Sequence, residues 1–109
     1  MEIKLSTVNG TSIAEIISNE VIFNKLEDAL DIMMNCSYQG ADRIIIKAEH
    51  LPADFFDLST GVAGELLQKF STYSMGLTIV GDFTKYTGKS FNDFMRESNK
   101  VGRVRFESN

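Results

Sequence analysis

The sequence predicts an α/β fold: a mixed, mostly parallel five-stranded sheet with an N-terminal antiparallel hairpin and three main helices. Asn9-Gly10, a pair that tolerates the positive φ angles of a tight hairpin turn, lies between two runs rich in apolar residues. Two further apolar runs, residues 43–47 and 77–80, flank a segment with helical spacing, as in a strand-helix-strand unit. The expected order is therefore ββαβαβαβ, with right-handed parallel crossovers after the hairpin.

The hairpin and the first helix come first along the chain. Residues 2–7 alternate between apolar and polar, which is the period of a half-buried strand, and residues 12–17 form the return strand. Asn24, with Glu27 three residues later, has the pattern of a capped helix start, and Gly40 ends the helix. An apolar stripe at spacings of three and four predicts the buried face of this helix: Leu26, Ala29, Leu30, Met33 and Met34.

The following strand-helix-strand unit is the centre of the predicted fold. Residues 43–47 contain three consecutive isoleucines without alternation, which is typical of a central strand covered on both faces. Asp57 or Ser59 is expected to cap the next helix, which runs to about Tyr73. The stripe expected to be buried on this helix is Val62, Ala63, Leu66, Leu67 and Phe70.

Two glycines stand near the start of this second helix. Gly61 and Gly64 each cost a helix about 1 kcal/mol relative to alanine. Such a pair indicates that something approaches the backbone at this point. A packed strand is the simpler explanation, and a bound ligand is the alternative.

The last helix is expected to begin at Ser90 as its cap and to end at Gly102. Its apolar residues are Phe91, Phe94 and Met95. A closing edge strand is predicted from the apolar residues Val101, Val104 and Phe106.

Length and composition limit the classes of protein to consider. With 109 residues, 43% hydrophobic and 24% charged, the chain is expected to form one domain, residues 1–109, with its own core. Cys36 is the single cysteine, which excludes an internal disulfide, is typical of a reducing compartment and is expected to be buried. The chain has no signal-peptide pattern and no apolar run of about 18 residues, so a cytoplasmic protein is expected.

Charge is distributed unevenly along the chain. Residues 1–42 hold two basic and seven acidic side chains, a net of −5, whereas residues 43–109 hold nine basic and eight acidic ones, a net of +1. Between residues 85 and 105, six basic side chains accompany only Asp93 and Glu97. This basic C-terminal segment leaves open an acidic partner or a nucleic acid, although a solvated helix face explains the same charges.

Thr87-Gly88-Lys89-Ser90 resembles the end of a phosphate-binding P-loop. The glycine that such a loop needs five positions before Gly88 is replaced by Phe83. A bulky side chain at that place obstructs the wrapping of backbone amides around a phosphate. The sequence therefore predicts no site for a nucleoside triphosphate, and no cofactor.

Conventional catalytic patterns are missing. His50 is the sole histidine, and a zinc site would have to combine it with carboxylates or Cys36 at no recognisable spacing. No serine stands in a nucleophile-elbow pattern. His50 is expected to be an ordinary exposed loop residue, and no catalytic residue is predicted.

Asp57 and Asp82 are the carboxylates of most interest. Each follows one of two adjacent predicted parallel strands at its carboxyl end, so both side chains are expected to face one crevice. With Lys85 or Lys89 nearby, such a crevice would suit Mg²⁺ or a phosphate, and this supports the alternative of a small enzyme or ion-binding protein. Helix capping and turn formation also explain both aspartates.

Four segments resemble a small bacterial family that is known as a domain of unknown function. They are residues 41–46 (ADRIII), 55–70 (FFDLSTGVAGELLQKF), 79–83 (IVGDF) and 94–100 (FMRESNK). The resemblance extends over nearly the whole chain. It implies a common fold and no assigned activity.

The order of elements is also similar, more remotely, to the STAS domain of anti-sigma-factor antagonists. In that family an Asp-Ser-Ser-Gly sequence at a helix start carries a serine that a partner kinase phosphorylates. The corresponding segment here is Asp57-Leu58-Ser59-Thr60-Gly61, which has the additional residue Leu58. The resemblance implies a binding module in which Ser59, Thr60 or neither accepts a phosphate.

These observations favour a non-enzymatic, cytoplasmic regulatory or protein-interaction domain. Its functional surface is expected to be the loop from Asp57 to Gly61, with a second crevice at Asp82 and Lys85. The partner is expected to be another protein rather than a membrane or a nucleic acid, and a homo-oligomer stays open.

Overall fold

The computed structural model describes residues 1–109, and its elements follow the predicted order. The strands are β1 (Glu2–Val8), β2 (Thr11–Ile17), β3 (Arg43–Lys47), β4 (Gly76–Gly81) and β5 (Val104–Ser108). The helices are α1 (Leu26–Tyr38), α2 (Val62–Thr72) and α3 (Lys89–Val101). The sheet order is β1-β2-β3-β4-β5, with β1 antiparallel to β2 and all other neighbours parallel. The predicted fold class is confirmed.

The hairpin between β1 and β2 forms for the reason that the sequence indicates. Asn9 has a φ of 51° and Gly10 a φ of 82°, and two successive positive angles define a primed turn. Pairing then runs without interruption from Val8 with Thr11 to Glu2 with Ile17.

One face of the sheet is buried and the other is open. From β2 to β5, each new strand is added on the same side of the preceding one. Right-handed crossovers between these parallel strands therefore bring all three helices to one face. Burial alternates accordingly: Ile44 and Ile46 are 0% and 1% exposed, whereas Ile45 between them is half-buried. The core lies between this face and the helices and includes Cys36, as expected, where burial raises the pKa of the thiol.

On the open face, the long side chain of Arg43 lies across the amino-terminal ends of β3 and β4. Its Nη1 donates to the carbonyl of Leu77 at 2.8 Å, and its Nη2 donates to the carbonyl of Gly102 at 2.7 Å. Gly76 provides the space, because a Cβ there would lie 2.8 Å from the guanidinium. The prediction that β3 is covered by packed elements on both faces is therefore wrong, since all three helices lie on the other face of the sheet.

The first helix begins one residue later than predicted. Lys25, not Asn24, occupies the N-cap position, and its N–H donates to the Asp28 carboxylate at 3.1 Å. Asn24 instead donates from its side chain to the carbonyl of Val21. The buried face of this helix also differs from the predicted apolar stripe, because Met34 is 62% exposed. The side chains that this helix buries are Ala29, Ile32, Met33 and Cys36.

The third helix also starts differently from the prediction. Gly88, not Ser90, is at the N-cap position, and the Asn92 side-chain amide donates to the Gly88 carbonyl at 2.8 Å. Gly102 ends the helix with a φ of 86°, as expected. Val101 is the last helical residue and is 80% exposed, so its assignment to the closing strand is wrong. None of the three helices has the length and apolar character that crossing a membrane would require.

Candidate functional site

Two connections meet at the carboxyl edge of the sheet, where open α/β sheets place their binding sites. One joins β3 to α2 through residues 48–61, and the other joins β4 to α3 through residues 82–88. Phe56 of the first stacks on Tyr86 of the second, with ring centroids 4.7 Å apart and an interplanar angle of 7°. Both rings also contact Phe91 of α3, at 5.7 and 5.4 Å. The aromatic contacts hold the two connections together, so a partner would meet them as one surface.

The segment from Asp57 to Gly61 forms a short 3₁₀ turn and then begins α2. The Asp57 Oδ1 atom accepts the Ser59 N–H at 3.1 Å and the Ser59 hydroxyl at 2.7 Å. Gly61 follows with a φ of 78°, a conformation that favours glycine, and turns the chain into the helix. Asp57 thus caps the 3₁₀ turn rather than α2 itself.

These hydrogen bonds from Ser59 lower the pKa of Asp57. The side-chain bond lowers it most, and the backbone bond comes next. The carboxylate is therefore ionised at neutral pH. A carboxyl group whose pKa is lower in the folded than in the unfolded state stabilises the fold above its unfolded pKa. That contribution is lost as the pH falls through the folded pKa.

The two hydroxyls of this segment have different surroundings, although both side chains are exposed. The Thr60 Oγ1 atom lies 2.7 Å from the carbonyl of Asp54 and 2.8 Å from that of Asp57, and it accepts the Val62 N–H at 3.3 Å. The Ser59 hydroxyl bonds only to the Asp57 carboxylate. Thr60 therefore fixes the backbone of the turn, whereas the Ser59 oxygen can be modified without breaking a backbone contact.

Nothing in the chain packs against the two glycines at this helix start. A Cβ placed at Gly61 or at Gly64 would have no neighbouring atom within 4 Å. The expectation of a packed strand at this point is therefore wrong. The positive φ accounts for Gly61, but no contact within the chain accounts for Gly64.

Asp82 forms a turn of the same kind after β4. Its Oδ1 atom accepts the Thr84 N–H at 3.0 Å and the Thr84 hydroxyl at 2.6 Å, and these bonds lower its pKa. Asp82 and Lys85 line a polar crevice of about 190 Å³. Its other lining residues are Lys47, Ala48, Glu49, Val80, Gly81 and Asn109, so Asp57 is not among them. No group of three or more His, Cys, Asp or Glu side chains is arranged to hold a metal ion.

The basic C-terminal side chains are divided between different surfaces. On α3, Lys89 lies 2.8 Å and Arg96 2.9 Å from the Asp93 carboxylate. Arg105 belongs to the opposite, open face of the sheet, because it pairs in register with Thr78 next to Ile45. In the P-loop-like segment, Phe83 packs edge-on against Phe106 at 5.5 Å, and Lys89 is occupied by its ion pair.

The predicted exposure of His50 is wrong. It is 1% exposed, not an exposed loop residue. Its Nδ1 accepts the Lys47 N–H at 3.0 Å, so Nε2 carries the proton and donates to the Ser18 carbonyl at 2.8 Å. The His50 carbonyl accepts the N–H groups of Ile22 and Phe23. This histidine therefore joins the β2–α1 connection to the end of β3, and nothing local in the sequence reveals that contact.

Comparison with known proteins gives one match. The model of a family described as a domain of unknown function, DUF4180, matches residues 8–109, which include every strand and helix except most of β1. Neither the search of curated proteins nor that of solved structures finds a match.

Proposed function

We propose that this chain, which belongs to the DUF4180 family of unknown function, is a non-enzymatic regulatory domain that docks a partner protein through residues 57–61. The observation that carries the proposal is the exposed Ser59 hydroxyl beside a helix start where no other part of the chain covers Gly61 or Gly64. Phosphorylation of Ser59 is the proposed switch. A cytoplasmic location, suggested by the single buried cysteine, is part of the same proposal.

The bare helix start supports docking. Gly64 is exposed and costs the helix about 1 kcal/mol relative to alanine, and no packing contact offsets that cost. Without side chains at Gly61 and Gly64, a partner can approach the first-turn N–H groups of α2 closely. Those groups and the positive end of the helix dipole favour an acidic side chain or a phosphate.

The separate roles of Ser59 and Thr60 support the proposed switch. A phosphate on Thr60 would remove the hydroxyl proton that its two carbonyl partners share and would disrupt the turn. A phosphate on Ser59 would replace only the hydroxyl bond to Asp57, because the Ser59 N–H keeps its own bond to that carboxylate. The fold is therefore expected to tolerate modification of Ser59.

Such a phosphate would change the charge of the surface strongly. It adds about −1.5 to −2 charges at pH 7 beside the ionised Asp57 carboxylate. A partner that docks on the unmodified loop would meet this charge directly. The similarity to the STAS domain, whose corresponding loop carries a phosphorylated serine, agrees with this mechanism.

Substitution at Ser59 tests the docking surface. Immobilised wild-type protein is used to capture partners from a lysate of the native cells, and Ser59→Asp is expected to recover the specific partner about tenfold less well, a change of about 1.4 kcal/mol. Ser59→Ala should bind like wild type, because it keeps the neutral state. Thermal unfolding of Ser59→Asp should stay within about 0.5 kcal/mol of wild type, as for other surface changes.

The matched control is Ser90→Asp. Ser90 is also exposed and lies in the first turn of α3, whereas Ser59 lies in the 3₁₀ turn just before α2, so both variants add the same charge near a helix start. It should capture partners like wild type. Equal recovery by Ser59→Asp and Ser90→Asp would contradict a docking role for the 57–61 segment.

A further inference from the structure

The two edges of the sheet are finished differently. On β5, the Asn99 carboxamide accepts the Phe106 N–H at 2.7 Å and donates to the Phe106 carbonyl at 3.2 Å. Ser98 donates to the Val104 carbonyl at 2.5 Å. Helix α3 therefore satisfies outward-facing backbone groups of Val104 and Phe106, which hinders the pairing of another strand with this edge.

The opposite edge has no such cover. β1 has a single neighbour, β2, and six of its seven residues are exposed. The strand has no proline, and its uninterrupted register with β2 shows that it has no bulge. Leu5 is 48% exposed and Ile3 is half-buried, so the edge also presents apolar side chains. Natural proteins normally protect an edge of this kind, because its free N–H and C=O groups can pair with another strand.

The charges on β1 restrict the strand that can pair with it. Glu2 and Lys4 point to the same face, and neither belongs to an ion pair of the chain, since both pairs involve Asp93. If two copies pair antiparallel about a two-fold axis at Lys4, the two lysines face each other and repel. With the axis at Ile3, Glu2 of each copy lies opposite Lys4 of the other. In that register Ile3 meets Ile3, and Met1 meets Leu5 of the other copy, so every cross-strand pair is favourable.

We infer that β1 pairs antiparallel with β1 of a second copy, with Ile3 on the two-fold axis. The two sheets then form one continuous sheet of about ten strands, and the helices of both copies lie on the same face. The overlap extends over residues 1–5 of each copy, so the dimer is weak and depends on concentration. The 57–61 segment lies at a different edge of the sheet and stays accessible, so this inference is independent of the proposed function.

Charge exchange tests the inference. Sedimentation velocity is measured from about 1 μM to about 1 mM, the range in which small interfaces associate. Wild type should shift from monomer to dimer within this range. Glu2→Lys alone and Lys4→Glu alone should each weaken dimerisation about tenfold, because two symmetry-related attractions become repulsions. The double variant Glu2→Lys/Lys4→Glu should restore the wild-type affinity.

Cysteine crosslinking tests the register. Under mild oxidation Ile3→Cys should form a disulfide-linked dimer, since residues directly opposite across a strand pair are close enough to be bridged. Ser108→Cys, on the β5 edge that carries the α3 contacts, is the matched control and should stay monomeric, and the native Cys36 is buried. A wild type that stays monomeric throughout the range would overturn the inference. Efficient crosslinking of Leu5→Cys in place of Ile3→Cys, or a dimer that the charge variants do not weaken, would overturn it equally.

Discussion

Replacing His50 with alanine should destabilise the protein by about 3–5 kcal/mol, because the change opens a cavity and leaves the Lys47 N–H and the Ser18 carbonyl without partners. Domains of this size are stable by about 5–15 kcal/mol, so the loss is a large part of the total. Urea denaturation, with the slope compared between variants, measures it. No other polar side chain joins the β2–α1 connection to the connection that follows β3.

A second variant separates the stability that the two hydrogen bonds contribute from the stability that the volume of the side chain contributes. His50→Phe fills most of the space but cannot serve either backbone partner, so it should still cost about 2–4 kcal/mol. Glu49→Ala, at the exposed neighbouring position, should stay within about 0.5 kcal/mol of wild type. If His50→Phe is as stable as wild type, the two hydrogen bonds do not contribute as described.

The second large effect is expected at Arg43 and Gly76 on the open face of the sheet. Arg43→Ala should cost about 2 kcal/mol, because its hydrogen bonds tie β3 to the Leu77 carbonyl of β4 and to the Gly102 carbonyl at the end of α3. Arg43→Lys should recover little of this, since an ammonium cannot reach both carbonyls in the guanidinium geometry. Burial, and then the positive charge of Arg105, lower the pKa of Arg43, but an arginine in a protein stays charged.

Gly76→Ala should cost a similar amount, because its Cβ would displace the guanidinium that lies 2.8 Å away. The two effects should not add. In the Arg43→Ala background, Gly76→Ala should cost less than about 0.5 kcal/mol, and a double-mutant cycle by urea denaturation measures this coupling. Additive costs would show that Gly76 is needed for another reason. Arg105→Ala, an exposed change on the same face, is the control.

The parts of the fold that the sequence predicted correctly depend on local chemistry or on a long periodic pattern. Asn9 and Gly10 tolerate the positive φ angles that the tight turn requires, and the apolar runs of β3 and β4 occur in their predicted places. The predicted helix caps were misplaced, by one residue for α1, by two for α3 and by at least two for α2. Several side chains near each start can act as a cap, and the structure uses side chains inside the helix instead of the predicted caps: Asp28 bonds to Lys25, and Asn92 bonds to Gly88.

The features that sequence analysis missed depend on contacts between distant parts of the chain. The buried His50 ring depends on the backbone carbonyl of Ser18, 32 residues earlier, which accepts a hydrogen bond from Nε2. Ile45 looks like a residue covered by packing, but it lies half-buried on the open face of the sheet. On the same face Arg43 donates to the carbonyl of Gly102, which lies 59 residues away. At the candidate site, Asp57, Ser59 and Gly61 were identifiable from the sequence. The difference between the Ser59 and Thr60 hydroxyls was not, because it rests on the path of the backbone from Asp54 to Val62.

The most direct test of the regulatory role is the modification state of the protein in its own cells. The chain is purified from growing and from stationary cells and digested with trypsin, which releases residues 48–69 as a single peptide. Mass spectrometry with fragment ions that separate Ser59 from Thr60 is then applied to this peptide. We expect phosphate on Ser59 in a fraction of the molecules that changes with growth state, and none on Thr60. A peptide unmodified under every condition, or phosphate on Thr60 in a fully folded protein, would contradict it.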